Sequence, residues 1–348
     1  MNVTIQDNQT KQKFSEKFKN NFNFNLCLLA TAVVSLTPAF ASVTYYVDSV
    51  AGNNSFTGTS TRPLKTIQKA ADIVHPGDTV IVKDGTYTTT DFALVNINYG
   101  GTAGKPVTFK AEHPSGAKLD GRNNLSKYGW GFEPGVAYVN IEGFEIYGFA
   151  KSGLIANEVN NIEINGNLIH DIGRECTSTG YGLDGMYFDK SSSITIANNI
   201  IHDIGRYAPD ENGCKPDNAY YQNHDHGIYL DGVNNVTIND NKFFSTKRGW
   251  GIQVYSGNGN LSSGIKILNN DFSYPNSYRD GHIVFSYPGV TQSTVANNKF
   301  HQPRGQAIMM VPGITLSGVS VSNNTTYSVP MTNTSPSGVT FLGNVVIK

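Results

Sequence analysis

A cluster of ionisable and aromatic residues between positions 184 and 279 is the part of this sequence best suited to acid–base chemistry. Its cationic and imidazole members are His224, His226, Lys247, Arg248 and Arg279, and its carboxylates are Asp184 and Asp225. Its aromatic and amide members are Tyr187, Tyr221, Tyr229, Trp250 and Gln253. Lysine, histidine and tyrosine can move protons, cations can meet carboxylates, and aromatic rings can stack on sugar rings.

Side-chain alternation places several of these residues on one predicted surface. The aligned segments are 186–188, 228–230 and 252–254, and each has apolar residues on both sides of its central position. Because successive side chains of a strand point to opposite faces, we expect Tyr187, Tyr229 and Gln253 to point outward from one sheet. Ionisable residues directly precede these strands, so we expect a surface that can hold a sugar polymer.

The strands that position this surface belong to an internal repeat. A strand, an Asn-rich turn and a second strand recur as GLIANEVNNIEINGNLIHDIG, GMYFDKSSSITIANNIIHDIG and GIYLDGVNNVTINDNKFF. A repeat of about two dozen residues with period-two alternation and no helix is typical of a solenoid of parallel β-strands. The 36 Gly, 18 Tyr and 18 Phe residues fit the same all-β fold class.

Asparagine pairs recur at corresponding corners of the repeats, and we interpret them as structural. They are Asn160-Asn161, Asn165/Asn167, Asn198-Asn199, Asn234-Asn235, Asn239/Asn241, Asn269-Asn270 and Asn297-Asn298. Asparagine tolerates the left-handed backbone that such corners need, and stacked amides can hydrogen-bond along the solenoid axis. The repeated IHDIGR motif at His170 and His202 is likewise predicted to be a structural corner, with Arg174 and Arg206 at the loop edge.

Two consecutive repeats carry insertions directly before the same strand. The inserted segments are 174–184 and 206–226, and each contains one cysteine. We expect Cys176 and Cys214 to form a disulfide that ties the loops together, with two separate buried thiols as the alternative. The tied loops are predicted to form one wall of a groove.

The first 41 residues have the pattern of a secretory signal peptide. Four lysines precede an apolar run from Leu26 to Phe40, and the segment ends in Ala39-Phe40-Ala41. The alternative is a membrane anchor, but the run is shorter than the roughly 20 residues that span a bilayer. We therefore expect an exported protein, extracellular or periplasmic, whose mature chain is 42–348.

The net charge of the predicted mature chain argues against nucleic acid as a partner. Removing residues 1–41 takes away four of the 26 basic and two of the 27 acidic residues, which leaves 22 against 25 and a net charge of −3. Such a chain lacks the basic face of a nucleic-acid-binding protein. We expect a monomer that contacts neither nucleic acid nor, after cleavage, a membrane.

One helix is predicted ahead of the repeats. The segment 63–74, PLKTIQKAADIV, has helical spacing of its apolar residues, begins with proline and is followed by HPGD. An amphipathic helix at the end of a solenoid would cover the open core as a cap. The absence of a composition shift after it predicts a single domain.

The chain resembles a known family at its N-terminal side. The segment YYVDSVAGNNSFTGTSTRPLKTIQKAADIVHPGDTVIVKDGTY, followed by GIYLDG-type repeats, is similar to the right-handed parallel β-helix family of secreted polysaccharide lyases and related epimerases. The resemblance covers essentially the whole mature chain. It implies a right-handed single-stranded parallel β-helix and cleavage of an acidic, uronate-containing polysaccharide by β-elimination, with alginate as one candidate.

Elimination needs a cation for the substrate carboxylate, a base and a proton donor. We assign Lys247 or His226 as the base, Tyr229 or Tyr187 as the acid, and Arg248 as the carboxylate clamp. The other members of the cluster are expected to bind substrate.

The resemblance also points to calcium as a candidate ligand, because several pectate lyases of this fold hold a calcium ion between aspartates. The residues that would supply it are Asp184, Asp189, Asp225 and Asp231.

Other functions remain open at this point. A C-5 epimerase shares the proton abstraction, and a glycoside hydrolase would use Asp184, Asp225 or Asp231 as paired carboxylates. A non-catalytic glycan-binding solenoid is a further alternative. The cluster also has a structural interpretation, with the cations in solvated turns, the histidines as turn donors and the tyrosines as a surface ladder.

Overall fold

A computed structural model describes residues 41–177, 182–215, 224–246, 248–273 and 280–348. The predicted signal peptide therefore lies almost entirely outside the described residues, and its export function stays a prediction. Within the described residues, no helix has the length and apolar character needed to cross a membrane. Three residues of the predicted site, Tyr221, Lys247 and Arg279, also lie outside the described residues.

The regular secondary structure of the described residues consists almost entirely of short strands. In the N-terminal part these are β1 (Thr44–Val47), β2 (Thr79–Val82), β3 (Gly85–Thr88), β4 (Ala93–Ile97), β5 (Val107–Ala111), β6 (Ala117–Asp120), β7 (Tyr128–Phe132), β8 (Ala137–Glu142) and β9 (Glu145–Tyr147). The central strands are β10 (Ser152–Asn157), β11 (Asn160–Asn165), β12 (Leu168–Ile172), β13 (Asp184–Asp189), β14 (Ser192–Ala197), β15 (Ile200–Ile204), β16 (His226–Asp231), β17 (Asn234–Asn239), β18 (Lys242–Phe244) and β19 (Ile252–Tyr255). The C-terminal strands are β20 (Ser262–Ser263), β21 (Lys266–Leu268), β22 (Asp271–Ser273), β23 (Ile283–Phe285), β24 (Gly289–Thr291), β25 (Thr294–Ala296), β26 (Lys299–Phe300), β27 (Ile308–Met310), β28 (Thr315–Ser317), β29 (Val319–Ser322), β30 (Thr325–Tyr327), β31 (Val339–Leu342) and β32 (Val345–Ile347).

These strands wind into three parallel sheets within the described part of the chain. The first sheet runs β1-β2-β5-β8-β11-β14-β17-β21-β25-β29-β31, with β20, β24 and β28 joined beside β17. The second sheet runs β4-β7-β10-β13-β16-β19-β23-β27, and the third runs β3-β6-β9-β12-β15-β18-β22-β26-β30-β32. Between β2 and β27 each coil adds at least one strand to every sheet, which confirms the predicted all-β parallel β-helix.

Inward-facing residues of successive coils stack into apolar columns. Phe243, Phe272 and Phe300 are an example, with ring centroids 4.7 and 5.1 Å apart. Burying each such side chain contributes about 1.5–3 kcal/mol, so the stacked coils stabilise one another. The glycines that open the repeats allow this close stacking, because a Cβ at Gly185 would lie 2.6 Å from the carbonyl oxygen of Gly227.

The predicted cap helix is present but shorter than predicted. Helix α1 spans Ile67–Ala71, and its N-cap Thr66 accepts a hydrogen bond from the backbone N–H of Lys69. Leu64 is extended instead and pairs with β1, so the preceding segment cannot be helical. Gln68 covers the edge of β4 by exchanging two hydrogen bonds with the backbone of Asn96, at 2.7 and 3.0 Å.

Five of the seven predicted asparagine pairs lie at one corner of the coils and contribute to the predicted ladder, whereas Asn160-Asn161 and Asn234-Asn235 open β11 and β17 at another corner. The ladder comprises Asn167, Asn199, Asn241, Asn270, Asn298, Asn324 and Asn344, and each side-chain amide donates to the side-chain oxygen of the next at 2.9–3.1 Å. The residues just before most of these rungs, such as Asn198 and Asn269, have positive φ angles of 58° and 56°. Each rung satisfies buried polar groups of its neighbours and thereby fixes the register of the coils.

Candidate active site

An exterior row on the second sheet carries the tyrosines predicted to face outward. Tyr187 in β13, Tyr229 in β16 and Gln253 in β19 are register partners on consecutive strands, as predicted. The two tyrosine rings meet edge to face with centroids 5.2 Å apart, and Tyr255 lies 6.3 Å from Tyr229. This row presents phenol hydroxyls and ring surface along the solenoid axis.

Tyr187 is held in place by an aspartate of the next coil. Its hydroxyl donates a hydrogen bond to Oδ2 of Asp231 at 3.2 Å, and only 9% of its surface is exposed. Burial, followed by the charges of Asp231 and Asp189, raises the pKa of Tyr187 well above its usual value. Tyr187 therefore stays protonated, and the more exposed Tyr229 is the tyrosine that a ligand can reach.

His226 adjoins the row at the start of β16. Its ring lies 5.4 Å from Tyr229 and is stacked on Trp250 at 5.7 Å. The backbone N–H of Trp250 donates to Nδ1 of His226 at 3.1 Å, which assigns the proton of a neutral ring to Nε2. In this tautomer Nε2 donates a proton and has no lone pair for accepting one. The geometry thus favours His226 as a hydrogen-bond donor over its predicted role as base.

Trp250 does not occupy the position predicted for a sugar-stacking ring. It is 7% exposed, its ring packs on His226, and its indole N–H donates to the carbonyl oxygen of Asp280 at 3.1 Å. Because its face is covered by protein, its contribution in this structure is to position His226.

Two charged residues of the predicted site lie in the protein interior. Asp225 is fully buried, forms an ion pair with Arg206, and accepts from the backbone N–H groups of Arg206 and Leu183 at 2.8 and 3.1 Å. Arg248 is also fully buried. Direct contact of Asp225 with substrate and the clamp role of Arg248 do not fit these positions, because neither side chain has surface that a polymer can reach.

The inserted loops are tied to each other as predicted. Cys176 and Cys214 form a disulfide with their Cα atoms 5.4 Å apart, which confirms the predicted pairing. Arg174 adds a second link, since it forms an ion pair with Glu211, donates to the carbonyl oxygen of Gly205 at 2.8 Å and covers the ring of Tyr207 at 4.4 Å. These contacts restrain the loops between the third and second sheets, beside the start of β13 and β16.

The remaining described members of the cluster lie beside these loops. Asp184 opens β13, is 5% exposed and is the register partner of His226. Burial of Tyr128 in β7, followed by the charge of Asp184, raises the pKa of Tyr128 to about 12. His224 is exposed just before β16. Asp184 thus faces protein groups, while His224 is open to solvent.

A half-buried lysine that the sequence patterns did not single out lies at the same edge of the second sheet. Lys151 directly precedes β10, and its backbone N–H donates to the carbonyl oxygen of Lys127 at 2.9 Å. Burial lowers the pKa of Lys151, Glu175 opposes that shift, and the charges of Arg206 and Lys127 lower it further. A lysine whose pKa is lowered can act as a base as well as a cation.

A sequence signal for this lysine exists. Lys127 and Lys151 occupy the same place in consecutive repeats, one residue before β7 and β10. Two ammonium groups in adjacent coils repel each other, and such a pair indicates a surface that meets anions.

The four aspartates considered for calcium do not converge. Asp184 and Asp189 lie at opposite ends of β13, about 16 Å apart for an extended strand of this length. Asp225 is committed to Arg206, and Asp231 accepts from Tyr187 and from the backbone N–H of Gly257 at 2.7 Å. These residues do not fit a common calcium site, and no catalytic step is assigned to the metal.

Family and structure comparisons agree with this architecture. The family described as Pel9A-like, right handed beta helix region, matches residues 45–207, and the right handed beta helix region family matches residues 226–348. No curated protein matches the chain in sequence.

Solved structures with the same fold include polysaccharide lyases. An alginate lyase from Paenibacillus sp. str. FPU-7 has a TM-score of 0.65 at 20% identity, over 88% of this chain and 96% of that one. The pectate lyase Pel9A has a TM-score of 0.57 at 16% identity, over 88% of this chain and 78% of that one. These findings confirm the resemblance noted in the sequence: both matched families are right-handed β-helix families, and the chain shares the fold of these lyases.

Proposed function

We propose that this protein is a polysaccharide lyase that cleaves a uronate-containing polymer by β-elimination. The observation that carries the proposal is the composition of one wall. The second sheet presents Tyr229 and Gln253 on its exterior row and Lys151, whose pKa is lowered, at the same edge, while His226 packs beside Tyr229 with 2% of its surface exposed. The similarity in fold to an alginate lyase and a pectate lyase supports the same reaction class.

The reaction needs three groups, and this wall supplies candidates for each. A base removes the proton from the carbon beside the substrate carboxylate, and the released electron pair forms a carbon–carbon double bond. The bond to the glycosidic oxygen breaks, and that oxygen takes up a proton. A cation near the carboxylate stabilises the negative charge that develops during the proton transfer.

We assign the base to a lysine and the proton donor to Tyr229. Lys151 is suited to the base role because burial and neighbouring cations favour its neutral form. Lys247, predicted from the sequence, remains the competing base and lies outside the described residues. Tyr229 is half-buried and is the more accessible of the two paired tyrosines, and Lys127 is an exposed cation one coil from Lys151.

Substitution of the two lysines tests the assignment. We expect Lys151→Arg to lower kcat by about 10²-fold or more, because arginine keeps the charge but cannot lose its proton. If Lys151 only clamps the carboxylate, Lys151→Arg keeps most activity while Lys247→Arg loses it. Lys110→Met is the control, since Lys110 lies on the first sheet in an exposed pair with Glu142 at 3.3 Å.

The pH profile provides a second readout. A lysine base must be neutral, so kcat/KM is expected to rise with pH and to level off above the pKa of the lysine. This rise is expected to disappear in the variant that has lost the base and to persist in Lys110→Met.

A polyuronate panel tests the reaction class. Alginate and polygalacturonate are incubated with the protein, and absorbance of the unsaturated product is followed in the ultraviolet. Rising absorbance is the expected result. New reducing ends without absorbance mean hydrolysis, altered proton NMR signals at constant chain length mean C-5 epimerisation, and retention without conversion means a glycan-binding protein. Any of these three results contradicts the lyase proposal.

A further inference from the structure

The third sheet carries an exterior row of stacked rings that is interrupted once within the described residues. Tyr147, His170, His202 and Phe244 stack on consecutive coils at 5.3, 5.0 and 4.5 Å, with planes within 7° of parallel. Ser273 takes the next place as the register partner of Phe244. The row resumes with His301 and Tyr327, which stack at 4.7 Å.

The interruption has the dimensions of one missing ring. Phe244 and His301 are two coils apart, which separates their rings by about 9–10 Å. One ring between them would have the same spacing from each neighbour as the other rungs have. Beside the gap, on the side of His301 and Tyr327, the surface forms an open cavity of about 550 Å³ lined by Asp271, Ser273, His301, Gln302, Tyr327 and Ser328. This volume is within the usual range for small-ligand sites.

The lining of the cavity matches a hydroxylated ring better than an aromatic one. A carboxylate, a primary amide and two serine hydroxyls accompany the imidazole and phenol rings. The carboxylate of Asp271 lies 3.3 Å from Nε2 of His301, so it fixes the orientation of that ring. Sugars combine a face of C–H groups that stacks on rings with hydroxyls that need polar partners at the rim.

Charge around the cavity favours an acidic sugar. Asp271 is the register partner of two exposed lysines, Lys242 on one side and Lys299 on the other. Two cations flanking one carboxylate leave a net positive edge, which attracts carboxylates of a polymer.

We propose that this cavity is a second glycan-binding site, which takes one pyranose ring of an acidic polysaccharide into the gap over Ser273. The sugar would stack on His301 and form hydrogen bonds with Asp271 and Gln302. The site lies on the third sheet, whereas the candidate active site lies on the second, so the proposal does not depend on the proposed lyase activity. A site of this kind would hold a polymer on the protein independently of cleavage.

Filling the gap is the most direct test. Ser273→Phe supplies the missing ring of the row, so we expect an unchanged or higher Tm together with loss of binding at this site. Ser320→Phe is the matched control, because Ser320 lies on the first sheet between Thr294 and Thr340. His301→Ala removes the stacking face without filling the gap, whereas His301→Phe keeps a ring there.

Calorimetric titration of the full chain with tetrasaccharides of galacturonate and of mannuronate measures the binding. We expect at least one of these tetrasaccharides to bind, and Ser273→Phe and His301→Ala to weaken that site at least ten-fold. Ser320→Phe and His301→Phe should change it less than three-fold. Identical titrations for the wild-type chain and Ser273→Phe would overturn the proposal. So would binding of adenosine, an aromatic ring, in place of the sugars.

Polymer cleavage is measured in parallel to separate this site from the candidate active site. We expect Ser273→Phe to cleave short oligouronates at the wild-type rate, because Ser273 lies on another sheet. A chain that cleaves nothing but binds the tetrasaccharides in a Ser273-dependent manner would disprove the lyase proposal and support the second site. A chain that cleaves normally but shows no Ser273-dependent binding would support the lyase proposal and disprove the second site.

Discussion

The hydroxyl of Tyr187 donates to the carboxylate of Asp231 at 3.2 Å, across two consecutive coils of the second sheet. The ring of Tyr187 in turn packs edge-on against Tyr229 at 5.2 Å. The carboxylate of Asp231 therefore anchors the buried Tyr187, and Tyr187 in turn packs against the half-buried Tyr229. This relationship separates a positioning residue from a residue that can touch a ligand.

Replacing each tyrosine with phenylalanine should produce different losses. We expect Tyr229→Phe to lower kcat by about 10²-fold or more with little change in KM, since the proton donor is removed and the ring is kept. Tyr187→Phe should cost about 1.5–3 kcal/mol of stability, because the lost hydrogen bond goes to a buried carboxylate, and less than ten-fold in kcat. Steady-state kinetics on polyuronates check both. Tyr147→Phe, on the third sheet, is the control, and a larger effect of Tyr187→Phe would reverse the two roles.

His226 combines a structural contact with a proposed chemical role, and two substitutions separate them. His226→Ala leaves the buried N–H of Trp250 without its acceptor, which should cost about 1–3 kcal/mol of unfolding free energy. His226→Asn offers an amide oxygen near the position of Nδ1, so it should recover most of that stability without recovering activity. Denaturant unfolding and product absorbance are measured on both variants. Recovery of full activity in His226→Asn would limit His226 to a structural role.

Part of this arrangement follows from the sequence and part does not. Period-two alternation and the repeat register were sufficient to align Tyr187, Tyr229 and Gln253, because both depend on local backbone geometry. The burial of Asp225 and Arg248 was not predictable in this way. The carboxylate of Asp225 reaches Arg206 at the start of the same inserted loop, and the path of an insertion is not encoded in the repeat.

The lowered pKa of Lys151 could not be predicted from the sequence for a similar reason. Its nearest sequence neighbours are uncharged, and the groups that shift its pKa belong to other coils, among them Glu175 and Arg206. Residue types and spacing therefore locate a wall of the solenoid, but the protonation behaviour of its members depends on loops from neighbouring repeats. The disulfide was easier to predict, because Cys176 and Cys214 are the two cysteines left after the predicted signal peptide.

The interior pair of Arg206 and Asp225 should behave as a unit in stability measurements. Arg206→Met leaves a buried carboxylate without its cation, and we expect a loss of about 3–5 kcal/mol. The double variant Arg206→Met/Asp225→Leu should be more stable than the single variant, since no lone charge remains buried. Arg304→Met, which breaks an exposed pair with Asp280 at 3.8 Å, should cost less than about 1 kcal/mol. Equal losses of stability for Arg206→Met and Arg304→Met would contradict this account.

Acid should destabilise the fold through His282. This residue is fully buried, its Nε2 donates to the carbonyl oxygen of His301 at 3.1 Å, and burial lowers its pKa from 6.5 to about 4. In the unfolded chain the imidazole of His282 is therefore protonated below pH 6.5, whereas in the folded chain it is protonated only below about pH 4. His282 thus reduces stability progressively as the pH falls through this window, by about 1.4 kcal/mol per pH unit.

A non-titrating donor removes this effect. His282→Gln keeps an N–H group for the carbonyl oxygen of His301, so its unfolding free energy between pH 6.5 and 4 should fall less steeply than that of the wild-type chain. Urea unfolding at several pH values compares the two slopes. His75→Gln is the control, because the His75 side chain is 60% exposed and its replacement leaves the buried imidazole in place. Parallel slopes for the wild-type chain and His282→Gln would show that another group governs the acid sensitivity.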